Sequence, residues 1–349
     1  MSALVLYGAS GYTGRLIVER ARERGLALVL AGRSRARLEP MGLPFRVAAV
    51  DDPHALSAAF AGARVVINAA GPFPATARPV VEACLDVGAH YFDVGGEGPV
   101  FEALHRYDSA ARQAKIMVMP GTGFVMAASN ALAAHVAAHM PDMRRLWLGF
   151  SRADPISRGS FASMLDLADG WVTIRRGGRL VAIPAGSLQR DFDFGQGPSR
   201  CMAAPWPDPY SAYFTTGAPD IEAYLEADAL ARTAYRAVSL FAPAARLPYA
   251  RETLERVAEF WPEGPTEAQR AATPKIVVAE AEDIYRRRTR ARLFTPNVYS
   301  FTRDCIVALA ERALGGDARP GYATPAEVYG ADFVLALAGV RREDATDPA

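Results

Sequence analysis

Residues 4–14 read Leu4-Val-Leu-Tyr7-Gly8-Ala9-Ser10-Gly11-Tyr12-Thr13-Gly14. Together with Ala3 before them, the residues up to Tyr7 run without polar alternation and describe a strand over 3–7 buried on both faces. The glycines that follow open an amphipathic helix expected over 14–24. Strand, glycine-rich turn and helix in that order form a phosphate-binding unit. Gly8 permits the tight turn, Gly11 lets the backbone approach a pyrophosphate, and Gly14 allows close packing of helix on strand. The helix N-terminus adds N–H groups and a favourable dipole for the anion. Ser10, Tyr12 and Thr13 can add hydroxyl or backbone contacts. The spacing is GxxGxxG, a variant of the commoner GxGxxG; the plainer reading is a glycine-rich turn that holds no ligand.

Further strands are expected at 26–31, 45–50, 64–69, 90–94 and 116–119, with helices at 53–60, 79–87 and 101–113 between them. Fully apolar strands alternating with helices make a parallel sheet covered on both faces. The fold class is therefore α/β, a Rossmann doubly wound parallel sheet. Beyond about residue 143 the pattern changes. Strands are expected at 146–152, 171–176, 180–183, 191–194, 201–206, 212–215, 276–281 and 288–293, with Gly177-Gly178 as a hairpin turn. Helices are expected at 227–241, 250–260 and 299–314, and a frayed polar tail from Arg341 onward. Strands in succession followed by helices indicate a second, α+β domain with a mainly antiparallel sheet. The expected divisions are 1–125 for dinucleotide binding, 126–297 for substrate binding or dimerisation, and 298–340 as a segment packing back on the first domain.

The second strand ends at Ala31-Gly32-Arg33-Ser34. A cofactor lacking a 2′-phosphate is usually held there by an acid on the ribose hydroxyl. Arg33 instead suits a 2′-phosphate and can stack on adenine, which favours NADP over NAD. The plainer alternative is a solvated run in an arginine-rich chain. Asp51 either approaches the adenine edge or caps the helix after Pro53. The small residues of Asn68-Ala69-Ala70-Gly71-Pro72 let the backbone run beside the cofactor ribose and phosphates.

Composition removes other classes. The chain has 349 residues, 39 basic and 38 acidic, for a net charge of +1. That leaves no bulk electrostatic case for nucleic acid or an anionic membrane. No stretch of 18 apolar residues exists, so no membrane span is expected, and the N-terminus does not read as a signal peptide. Cys84, Cys201 and Cys305 are far apart and odd in number, which fits a reducing cytosol and a cytoplasmic protein. His135 and His139 are spaced i, i+4 but lack the context of a metal motif, so no metal is expected. Only Lys115 and Lys275 are lysines, which leaves Schiff-base chemistry few candidates.

GASGYTG at 8–14, AGR at 31–33, NAAGPF at 68–73, VEACLDVGAHYFDVGGE at 81–97 and PGTGF at 120–124 together resemble the saccharopine dehydrogenase-like oxidoreductases. PWPDPYSAYFTTGAPDIEAY at 205–224 and PGYATPAEVYGADFVL at 320–335 look like their shorter bacterial members, related to trans-acting enoyl reductases. The resemblance implies NADPH as hydride donor and reduction of C=N or C=C bonds. The chain departs from the relatives at Val125 and Ala128-Ser129-Asn130, where many carry Asp and Pro-Ser-Asp. A second departure is Pro205-Trp206-Pro207-Asp208, where they carry Pro-Trp-Gly-Asp.

Hydride transfer needs the acceptor carbon near the nicotinamide and often an acid for the neighbouring atom. Tyr91, Asp93 and Glu97, at the end of the fifth strand, are the catalytic candidates. Tyr91 and Asp93 share a strand face, and the acids have an alternative role in tying down the Gly95-Gly96 turn. Phe73 and Phe124 are candidate walls or core residues. Arg158, Ser160, Trp206, Tyr213 and Thr216 are the substrate-binding candidates of the second domain. The expected protein is an NADPH-dependent reductase acting on a small-molecule or acyl substrate, with a homodimer plausible. The alternative from another class is a cofactor-binding sensor or scaffold without catalysis.

Overall fold

A computed structural model describes residues 4–152, 155–167, 170–233 and 260–345. The chain divides into two compact units, 1–127 with 299–328 and 128–298 with 329–349.

The first unit is built on β1 (Leu4–Tyr7), β2 (Leu28–Gly32), β3 (Phe45–Val47), β4 (Val65–Asn68), β5 (His90–Asp93), β6 (Met117–Met119) and β15 (Gly321–Tyr322). They form one seven-stranded sheet in the order β15-β6-β5-β4-β1-β2-β3. Every pairing in it is parallel. The direction of winding reverses at β1, between β2 and β4, and this reversal opens a crevice at the carboxyl ends of the strands. Leu4, Val5 and Leu6 are wholly enclosed, as a central strand with covered faces requires. β15 is an addition that no sequence pattern announced, because a two-residue strand carries no periodicity. The helix Val298–Leu314 buries Phe301, Cys305, Ile306, Leu309 and Ala310. Its Glu311 takes both Nε and Nη2 of Arg24 from the first helix, at 2.9 and 3.0 Å.

The second unit carries β7 (Met143–Phe150), β8 (Trp171–Arg176), β9 (Arg179–Pro184), β10 (Gln189–Asp193), β11 (Pro198–Ala203), β12 (Asp220–Glu226), β13 (Lys275–Asp283), β14 (Arg288–Thr295) and β16 (Arg341–Ala345). They make a nine-stranded sheet in the order β10-β11-β12-β7-β13-β14-β16, with β8 joining β12 and β9. The β12–β7 pair is parallel and the other described pairs are antiparallel. The core of one face gathers Trp147, Phe192, Phe194, Cys201, Tyr224 and Val278. Gly149 belongs to this packing, since a Cβ there would lie 2.6 Å from the Phe192 ring.

Several expectations need correction. Residues 212–215 are not a strand but part of the helix Asp208–Thr216. Prolines at 207 and 209, Asp208 in the first turn and Gly217 in the left-handed region at φ 70° supply start and stop signals. Those signals outweigh the β-propensity of Tyr213-Phe-Thr-Thr216. The central strand β12 was not expected, and neither was the helix Arg158–Leu167. Residues 341–345 of the tail expected to fray instead form β16, paired antiparallel to β14. Arg341 stacks 3.6 Å from the centre of the Phe294 ring, and Asp344 meets His135 Nε2 at 2.7 Å. Pairing with an edge strand orders a polar segment that has no core of its own. The helix expected at 250–260 and most of that at 227–241 lie outside the described residues. No helix of the described residues is long and apolar enough to cross a membrane.

Candidate functional site

At the carboxyl end of β1 the chain turns through Gly8, at φ 85°. A side chain there would strike the β4 loop, with a Cβ 2.5 Å from the Ala70 backbone N. A Cβ on Gly14 would lie 2.3 Å from the Gly8 carbonyl oxygen. The two glycines therefore press turn, helix and neighbouring loop into one cradle. Gly8 N–H donates to Ala31 O and Gly11 N–H to Gly8 O, at 2.9 and 3.1 Å. Gly11 is exposed, and no side chain caps the helix Tyr12–Glu23 that follows. Its first-turn N–H groups, at Tyr12, Thr13 and Gly14, have no intrahelical acceptor. This cradle fits the pyrophosphate of a dinucleotide. Ser10 is held from behind, its carbonyl accepting Arg15 Nη1 at 2.9 Å. Tyr12 lies edge-on to Tyr299, 5.0 Å between ring centres.

Arg33 and Ser34 stand at the end of β2, Arg33 exposed. Arg33 and Asp51 are both close enough to the Tyr7 hydroxyl to act on its acidity, in opposite directions, while burial as the largest cause raises it. The cap of the helix after Pro53 is Asp52, whose carboxylate accepts Ala55 N–H at 2.9 Å. Asp51 is exposed.

The loop 68–72 is braced from within. Asn68 Oδ1 accepts Ala70 N–H at 3.0 Å, and Asn68 Nδ2 donates to Thr76 Oγ1 at 3.3 Å and toward Tyr91 Oη at 3.5 Å. Ala69, Ala70, Gly71 and Pro72 stay half-buried or exposed at the crevice edge. Tyr91 Oη donates to Asp93 Oδ2 at 2.7 Å. Asp93 Oδ1 accepts Gly95 N–H at 2.9 Å and Gly121 N–H at 2.8 Å. The Asp93 carbonyl accepts both N–H and Oγ1–H of Thr122, at 2.8 and 2.6 Å. One carboxylate thus ties the loops after β5 and β6 together. Both Tyr91 and Asp93 are 0% exposed. Burial lifts the Asp93 carboxyl to about 6 against the pull of its three donors, and burial pushes the Tyr91 hydroxyl well up. Glu97 is also enclosed, its Oε2 accepting Gly96 N–H at 2.9 Å. These three side chains brace the turn. All three are enclosed.

Phe73 and Phe124 pack into the first unit. A Cβ on Gly95 would lie 3.0 Å from the Phe73 ring, and Phe124 lies edge-on to Phe301 at 5.7 Å. In the second unit the candidates separate into two groups. Arg158 and Ser160 sit on the helix Arg158–Leu167. Arg158 Nε donates to Trp261 O at 2.9 Å, and the hydroxyls of Ser160 and Ser157 are 3.1 Å apart. Trp206 lies just before the helix Asp208–Thr216, and Tyr213 and Thr216 belong to it. Thr216 Oγ1 donates to Ala212 O at 2.7 Å and accepts Ala218 N–H at 3.2 Å, which closes that helix. The Arg175 guanidinium covers the Tyr213 ring at 4.2 Å, and Arg175 Nε donates to Pro209 O at 2.8 Å.

One residue was missed. Asp208 is 1% exposed at the start of that helix. Burial pushes its carboxyl up to about 7, against smaller downward pulls from the Ser129 hydroxyl and its own backbone N–H. Neither carboxylate oxygen has a hydrogen-bond partner of ordinary geometry among the described residues. The available signal was an acid between two prolines in an otherwise apolar stretch. Among the described residues no group of three His, Cys, Asp or Glu side chains is placed to hold a metal ion.

Residues 4–119 match the family model described as the saccharopine dehydrogenase NADP binding domain. Over 145 residues, 35% of this chain and 34% of the relative, the sequence is 30% identical to the human saccharopine dehydrogenase-like oxidoreductase. Over 142 residues, 35% of this chain and 31% of the relative, it is 29% identical to a probable mitochondrial saccharopine dehydrogenase-like oxidoreductase of Arabidopsis thaliana. Over 105 residues, 27% of this chain and 25% of the relative, it is 35% identical to the trans-acting enoyl reductase of Mycobacterium tuberculosis. The matched stretch thus spans at most about a third of these relatives' length. The fold of the whole chain is similar to that of apo saccharopine dehydrogenase (L-Glu forming) from Saccharomyces cerevisiae. The TM-score is 0.65 at 12% identity, covering 99% of this chain and 100% of that one.

Proposed function

We propose that the chain, which matches the saccharopine dehydrogenase NADP binding domain over residues 4–119, is an NADPH-dependent reductase of a polarised double bond. The observation that carries this reading is the uncapped helix N-terminus behind Gly8, Gly11 and Gly14, with Arg33 where an NAD site would carry an acid. When bound, the cofactor supplies the hydride. The backbone N–H groups of residues 12–14 hold its pyrophosphate, with Ser10 lining the turn. Arg33 and Ser34 meet the 2′-phosphate, and Asp51 lies at the adenine edge. The backbone of 68–72 runs beside the ribose, kept in place by Asn68. Asp93 holds the neighbouring loops in register through Gly95 and Gly121.

The substrate class we favour is an enoyl or specialised-metabolite intermediate reduced at C=C. The relative named as a trans-acting enoyl reductase supports this choice. Relatives named as saccharopine dehydrogenase-like support the alternative, reduction of C=N. Titration with NADPH and NADH tests the cofactor site. Arg33→Ala should weaken NADPH by about tenfold, about 1.4 kcal/mol, and leave NADH nearly unchanged. Equal weakening of both nucleotides would remove Arg33 from the 2′-phosphate. NADPH consumption on enoyl and imine panels then separates C=C from C=N. Tight NADPH binding with no turnover on either panel favours the sensor reading.

A further inference from the structure

The loop 68–72 leaves β4 and packs directly against the phosphate turn. Ala69 N–H donates to Tyr7 O at 2.8 Å, one residue before Gly8. A Cβ on Gly8 would lie 2.5 Å from Ala70 N and 2.8 Å from Ala70 Cα, so the Ala70 backbone rests against the bare face of that glycine. The spacing between loop and turn is therefore set at Ala70. Both polar backbone atoms of Ala70 are taken by enclosed side chains. Its N–H donates to Asn68 Oδ1 at 3.0 Å, and its carbonyl accepts Thr76 Oγ1–H at 2.5 Å. Asn68 is 0% and Thr76 6% exposed.

Thr76 lies near the start of the helix Phe73–Val87. A threonine in a helix commonly turns its hydroxyl to the carbonyl four residues back. Here that carbonyl, of Pro72, is 3.4 Å away, and the single hydroxyl proton goes to the much nearer Ala70 oxygen. The same hydroxyl accepts Asn68 Nδ2–H at 3.3 Å. The second Nδ2 proton reaches toward Tyr91 Oη, whose own proton is committed to Asp93. These two acceptors fix which way the Asn68 amide faces, and they leave its Oδ1 for Ala70 N–H. We infer that Thr76 is a positioning residue: with Asn68 it clamps Ala70 at both N–H and carbonyl, and holds the 68–72 loop at the distance from the Gly8 turn that a dinucleotide requires. Its role toward a nucleotide rests on reading the crevice as an NADP site. Thr76 is enclosed, so it acts through Ala70 and not by touching the nucleotide. Without the hydroxyl, the Ala70 carbonyl and one buried Nδ2 proton of Asn68 lose their partner together, which is costly enough to move the loop. Ribose and pyrophosphate are common to NADPH and NADH, so both should weaken alike, unlike the loss of Arg33.

The test measures NADPH and NADH binding by the full chain as wild type, T76V, T76S and T76A. T76V keeps the volume and removes the hydroxyl, and should weaken both nucleotides by about tenfold. T76S removes a methyl and keeps the hydroxyl, and should bind both within about twofold of wild type. Hydrogen exchange at the Ala70 N–H, followed without nucleotide, should be faster in T76V and unchanged in T76S. A role in packing alone predicts the opposite order, with T76S the worse binder. If T76V fails to fold, T76A set against T76S isolates the same hydroxyl. T76V binding like wild type, T76S binding as poorly as T76V, a loss confined to NADPH, or unchanged Ala70 exchange in T76V would overturn the clamp and leave the cofactor reading intact. A wild type that binds neither nucleotide would instead overturn the cofactor reading, and the role of Thr76 with it.

Discussion

Asp93 and Asp208 are both enclosed carboxyls, one in each unit, and they are answered in opposite ways. Asp93 sits at a strand end where two loops return their N–H groups to it and Tyr91 adds a hydroxyl. Asp208 starts a helix between prolines, where only the Ser129 hydroxyl and its own backbone N–H pull its acidity down, and less than burial raises it. Burial raises both, to about 6 and about 7, and the donors around Asp93 explain why it rises less. A buried acid whose acceptor sites are filled is a brace.

The largest effect should follow from breaking the brace. Asp93→Ala leaves two backbone N–H groups and a hydroxyl without an acceptor, each worth about 1–3 kcal/mol, and should cost about 5 kcal/mol in urea unfolding. A loss below about 1 kcal/mol would show that the two loops do not depend on it. The contrast sharpens with Asp208→Asn. A folded pKa above the unfolded value means that the native state holds the extra proton, so stability falls as pH rises from about 4 to about 7. The asparagine form lacks that titration and should be more stable than wild type at pH 8, by up to about 4 kcal/mol, and equal to it near pH 4. Parallel stability–pH curves for the two proteins would contradict an enclosed acid. Asp93 adds a similar, shorter fall between about pH 4 and 6. Tyr91→Phe should be the mildest, at about 1 kcal/mol, and should move the Asp93 titration upward by removing one donor. An unmoved titration would break the Tyr91–Asp93 link.

Much of the first unit was legible because its signals are local. An unbroken apolar strand needs no partner to be recognised, and Gly14 serves a contact only six residues away, with the Gly8 carbonyl, whereas the Gly8 contact with Ala70 lies far along the chain. The site was legible only in part. Tyr91 and Asp93 read as catalytic candidates because strand alternation puts them on one face, which it does, but alternation says nothing about which donors that face meets. Gly121, the donor that completes the brace, is 28 residues further on. In the second unit the helix 208–216 was mistaken for a strand where capping signals competed with β-propensity. The polar tail was expected to fray because its partner, β14, lies some 50 residues upstream.

The sequence by itself determined the doubly wound sheet, the phosphate turn and the basic residue at the end of β2, since each depends on residues in one short segment. Tertiary structure alone decided which buried acids are satisfied, that β12 joins β11 to β7, and that Ser129 comes to rest beside Asp208. The physical reason is range: propensity and periodicity act over a few residues, whereas desolvation and hydrogen-bond satisfaction depend on whatever the folded chain brings alongside.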